Sequence, residues 1–148
     1  MGCDIHLHVE VKMGDKWEHY AAPNVARWYR LFGAMAGVRD ESESPIVAPK
    51  GFPSDTSALT KAIREDYGID GHTDSWLNHD EIMQLEDRLK EWATHRDEKE
   101  PWDRYDLESG ILNTYMAGNG FTAHWRYDDM PYLPSGITDV RFVFWFDN

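Results

Sequence analysis

Residues 3–11 read Cys3-Asp4-Ile5-His6-Leu7-His8-Val9-Glu10-Val11, and their alternation decides the fold. Cys3, Ile5, Leu7, Val9 and Val11 fall on one face, while Asp4, His6, His8 and Glu10 fall on the other. A period of two is that of a β-strand with one apolar face. Met13-Gly14-Asp15-Lys16 follows as a turn, and Trp17-Glu18-His19-Tyr20 as the returning strand. The other decisive segment is residues 140–146. Val140, Phe142, Phe144 and Phe146 share one side, and Arg141, Val143 and Trp145 the other. With both sides largely apolar, this strand belongs in the middle of the sheet, covered above and below.

The middle of the chain reads as helical. Asn24 caps a helix with the stripe Val25, Trp28, Tyr29, Phe32, Met35 and Ala36, ended by Gly37. Residues 41–53 carry three prolines and form a loop. Ser54 or Asp55 caps a second helix with Leu59, Ala62, Ile63 and Tyr67 inward and Gly68 at its exit. Asn78 and Glu81 make a capping box for the third, with Leu77 stapled against Ile82 and Leu85, Leu89 and Trp92 continuing the stripe. A fourth helix is expected over residues 107–116, stopped by Gly118-Asn119-Gly120. The expectation is a single α+β domain over residues 1–148. Its small, mainly antiparallel sheet contains the N- and C-terminal strands and is packed with about four helices.

Composition bounds the function. Across 148 residues, seven Trp, seven Tyr and six Phe supply core area despite a mean hydropathy of -0.66. Asp plus Glu outnumber Lys plus Arg by 27 to 15, a net charge of -12 that disfavours general binding to nucleic acid or anionic membrane. The single cysteine, Cys3, fits a reducing compartment. No secretory leader or eighteen-residue apolar run is present, so a soluble, cytoplasmic protein is expected. Phosphate-loop, dinucleotide, nucleophile-elbow, HExxH and CxxC motifs are absent.

Three constellations bear chemistry. Asp4, His6, His8 and Glu10 line one strand face at about 7 Å steps, a spacing that suits a divalent ion such as zinc or manganese; the plain alternative is a solvated face. Asp70-Gly71-His72-Thr73-Asp74-Ser75-Trp76 reads as a loop between helices, either turn chemistry alone or the completion of a site begun on the strand. Arg27, Arg30, Arg39 and Arg126 lie among aromatic rings, which suits either stacking on a small anion or pairing with surplus acid. Because one strand offers a single row of ligands, His72 is expected to join His6, with Asp4 and Asp74 beside them and Arg39 within reach of an anion. Asp4, His6, His72 and Asp74 are thus the candidate catalytic residues. Arg39, Trp76 and Arg126 are the candidate ligand-binding residues, and Asp4, His6, His8 and His72 the candidate metal ligands.

The run DIHLH is similar to the HxH metal motif of amidohydrolase barrels, but those need about 250 residues, so that fold does not transfer. A broader resemblance rests on blocks along nearly the whole chain. They are the opening Met1-Gly2-Cys3-Asp4-Ile5-His6, Tyr29-Arg30-Leu31-Phe32 with Met35-Ala36-Gly37-Val38-Arg39, Gly51-Phe52-Pro53, Gly71-His72 with Ser75-Trp76-Leu77, and the closing Val143-Phe144-Trp145-Phe146-Asp147-Asn148. These resemble a family of small uncharacterised proteins found in bacteriophage and prophage genomes. In that family the loop usually reads His-Ser-His-Ser-Trp, and here Asp74 stands at the second His position. The resemblance implies a viral accessory protein of the host-cell cytoplasm and supplies no mechanism. Three functions fit. One is a metal-dependent hydrolase of a small phosphate-containing, nucleotide-like ligand. Another is a non-catalytic protein sequestering such an anion, and the third is an acidic inhibitor of a host protein.

Overall fold

The computed structural model describes residues 2–25, 27–94 and 136–148. Strand β1 (Asp4–Met13) turns through Gly14 and Asp15 into β2 (Lys16–Ala21). Gly14 has φ +62°, the backbone a II′ hairpin requires at its first central position. Helices α1 (Tyr29–Ala36) and α2 (Ala58–Tyr67) follow, then a 3₁₀ turn (Gly68–Asp70) and β3 (Gly71–Leu77). Helix α3 (His79–Thr94) and β4 (Ile137–Asp147) complete the described elements. The sheet order is β2-β1-β4-β3 and every pairing is antiparallel.

β4 takes the central place its two apolar sides imply. It pairs with β1 from Asp4↔Asp147 to Met13↔Ile137 and with β3 on its other side. One sheet face carries Cys3, Ile5, Leu7, Val9, Val11, Phe142, Phe144 and Phe146, all buried against α1 and α3. From α1 come Leu31, Phe32 and Met35; from α3 come Ile82, Leu85, Leu89 and Trp92. Each fully buried large side chain is worth about 1.5–3 kcal/mol relative to exposure. Helix α2 lies on the opposite face, where Thr60 reaches Glu10 and Tyr67 reaches His6.

The helix ends follow local chemistry. Gly37, at φ +71°, closes α1 in an αL cap: its N–H donates to Gly33 O, and that of Val38 to Phe32 O. At α3 the capping box forms as expected. The Asn78 N–H donates to Glu81 and the Glu81 N–H to Asn78, both at 2.9 Å. Leu77 and Ile82 are buried beside it.

Three expectations change. Helix α1 starts at Tyr29 instead of just after Asn24, with Trp28 buried at its N-cap. Helix α2 is capped by Ser57, whose Oγ accepts from the Thr60 N–H, instead of Ser54 or Asp55. The later cap turns Thr60 inward and leaves Leu59 outward, 54% exposed. Residues 71–77 form strand β3, where a loop was expected. Pairing with β4 outweighs their polar composition, and a bulge between His72 and Ser75 holds Thr73 at φ +54°. Three α-helices lie among the described residues; the fourth, expected over residues 107–116, falls outside them.

Candidate functional site

Under α2 the sheet presents a polar row, and the β1–β4 register sets its partners. Asp4 lies opposite Asp147, His6 opposite Trp145, His8 opposite Val143 and Glu10 opposite Arg141. His6 is bonded through both ring nitrogens. Nε2 lies 3.1 Å from Asp147 Oδ1 and Nδ1 lies 3.0 Å from the Tyr67 hydroxyl. Asp147 can only accept, so Nε2 carries the proton, and Nδ1 accepts from the phenol; the tautomer is assigned from these partners. Both groups remain reachable, with His6 25% and Asp147 29% exposed. Burial pushes the Tyr67 pKa up, helped by the carboxylates of Asp147 and Asp4, so the phenol holds its proton.

Neighbours frame this relay. Arg27 forks onto Asp4 at 2.7 and 3.1 Å, and that hydrogen bonding lowers the Asp4 pKa. Arg64 forks onto Asp74 at 2.7 and 3.1 Å. Trp145, fully buried, forms the floor: its ring centroid lies 6.0 Å from that of His6, 5.6 Å from Tyr67 and 4.9 Å from His8, which stacks on it. Its indole N–H is buried with no acceptor among the described residues, a condition that costs about 1–3 kcal/mol. His8 Nδ1 sits 3.0 Å from His19 Nε2; burial first, then His19, holds the His8 pKa down to about 4.

Further along the row, Glu10 is fully buried and fully satisfied. Oε1 accepts from Arg141 Nε and Nη2, while Oε2 accepts from the Ser57 N–H and the Thr60 hydroxyl. Arg141 also donates to Asp55 and lies 4.1 Å from the Trp17 ring centroid. This end of the row is a clamp that fixes the start of α2.

The expected union of His6 with His72 does not form. His72 is paired with Phe146 and His6 with Trp145, adjacent residues of β4, so their side chains lie on opposite faces. The His72 ring stacks on Phe146, and its nitrogens meet Thr73 Oγ1 and Asn148 Oδ1. Arg39 also belongs to the far face, hydrogen-bonded to the buried Cys3 thiol, whose pKa is raised mainly by burial. Asp74 is on the α2 side but held by Arg64; Trp76 is there too, with Lys50 3.5 Å from its ring centroid. Arg126 lies outside the described residues.

Each expected metal ligand is engaged elsewhere in this structure. Asp4 is taken by Arg27, His6 by Asp147 and Tyr67, His8 by His19, and His72 faces away. Among the described residues no group of three or more His, Cys, Asp or Glu side chains is arranged to hold a metal ion. None of the helices in the described residues is long and apolar enough to cross a membrane. Sequence reasoning missed Tyr67, Asp147 and Arg64 as site residues. Aligning the two terminal strands antiparallel would have brought Asp147 beside His6. No protein-family model, curated protein or solved structure matches the chain.

Proposed function

We propose that this chain is an accessory hydrolase of the phage type, acting on a small phosphate-containing, nucleotide-like ligand, with His6 as the group that moves the proton. One observation supports this most: a partly exposed imidazole is held between a carboxylate and a phenol, Asp147 and Tyr67. Asp147 fixes the tautomer and stabilises the imidazolium once it forms. A water attacking phosphorus passes a proton to the Tyr67 oxygen as the phenol proton moves to His6 Nδ1. Return of that proton to the leaving oxygen completes the cycle. Arg27, held by an exposed fork on Asp4, is the cation that exchanges its carboxylate for a substrate oxygen.

The test is a panel of mono- and cyclic nucleotides and simple phosphoesters, assayed before and after EDTA. Wild-type turnover that survives EDTA and falls at least about 100-fold in His6→Gln is expected. No turnover of any panel member, or His6→Gln within about threefold of wild type, sinks the hydrolase reading. A nucleotide released unaltered from the heated protein then favours sequestration.

A further inference from the structure

The end of α2 is attached to the sheet differently from the rest of the fold. Thr60 is the one buried residue of this helix, and none of residues 64–70 is buried. Ile69 at the tip of the 3₁₀ turn is 101% exposed. Apolar packing therefore contributes little to holding this segment down. The Arg64 fork on Asp74 and the Tyr67 bond to His6 fasten it. Arg64 also donates to the Gly68 carbonyl within the segment and to the Gly71 carbonyl at the start of β3. Glycine stands at both of those positions, and Gly68 has φ +53°, where other residues are strained. The start of α2, by contrast, is pinned by the buried Glu10–Arg141 clamp.

Beneath the segment lies Trp145, in ring contact with Tyr67 and with the Arg64 guanidinium 5.8 Å from its ring centroid. Its buried indole N–H has no acceptor among the described residues. A buried donor with no acceptor among the described residues, under a weakly packed cover, is what an incoming acceptor would complete. We infer that residues 64–70 form a flap latched by Arg64 on Asp74, whose opening bares the Trp145 N–H to a ligand oxygen. The inference rests on the His6 site proposed above, because the flap carries Tyr67, but its test does not read turnover.

Amide hydrogen exchange of the whole protein, with the Trp145 indole N–H followed by NMR, measures the opening. The hydrogen-bonded amides of residues 64–70 and the indole should exchange at least about 100-fold faster than the amides of residues 142–146, the signature of local opening. Arg64→Gln and, on the other side of the latch, Asp74→Asn should each speed flap exchange about tenfold further without changing β4. Flap and indole protection equal to that of β4 would overturn the inference. So would variants that leave flap rates unchanged, or that raise flap and β4 rates alike.

Discussion

Arg141→Met should be among the most damaging single substitutions in the sheet. Glu10 is fully buried, and Arg141 supplies both hydrogen bonds to its Oε1, at 3.0 and 2.8 Å. Methionine fills similar space but leaves that oxygen charged, dry and unpaired. Removing one partner of a buried ion pair costs about 3–5 kcal/mol. Loss of the stack on Trp17 adds about 0.5–1 kcal/mol. The Asp55 contact adds little, because that carboxylate is 64% exposed and returns to water. The sum is about 3.5–6 kcal/mol, a large part of the roughly 5–15 kcal/mol that stabilises a domain. Urea unfolding followed by tryptophan fluorescence would show it as a lower midpoint at unchanged slope. Adding Glu10→Leu removes the stranded charge, so the double variant should recover at least about half of the loss. A single-variant cost below about 1.5 kcal/mol, or strictly additive losses in the pair, would refute the clamp.

Acid should weaken the fold through His8. Its folded pKa is depressed to about 4 from an ordinary 6.5, so below 6.5 the unfolded chain binds the proton first. Stability should therefore rise with pH between about 4 and 6.5, by about 3 kcal/mol, and be level above; His8→Gln should flatten that slope in melts run across the window. Ile5→Asp buries a carboxylate among Phe146, Leu7 and α1, and should cost more than about 4 kcal/mol or prevent folding. His6→Gln, on the partly exposed row, should cost about 1 kcal/mol; equal severe losses by chemical denaturation would mean His6 is a structural group. Deleting residues 140–148 should abolish the cooperative thermal transition, because β1 and β3 both lose their partner; a truncated protein melting like the full chain would contradict the central place of β4.

The parts of the fold that could be read beforehand rest on local pattern. Alternation marked β1, two-sided apolarity marked β4 as central, and the Asn78–Glu81 spacing marked the start of α3. What stayed hidden depends on partners far along the chain. Glu10 reads as a solvent-facing carboxylate until Arg141, 131 positions away, is seen to meet it. Strand β3 is masked by the turn-forming residues His72 to Ser75 that its bulge uses. The candidate site divides the same way. His6 stands out from the strand pattern, but Asp147 and Tyr67 reach it only through register and helix placement. His72 misleads because a strand side chain's face is set by its partner, and that partner is Phe146 and not Trp145.

The central position of β4 also has a kinetic side. His6 and Asp147, joined across the sheet, are 141 positions apart, and β3 reaches the sheet only through β4. During synthesis β1, β2 and β3 emerge before the strand that unites them, so one edge of β1 stays without its strand partner until the other described elements exist. Loop closure over such distances is slow, and exposed strand edges invite pairing with other chains. Refolding at low concentration should therefore outperform refolding at high concentration, with the hairpin of β1 and β2 forming long before the aromatic side chains of β4 lock.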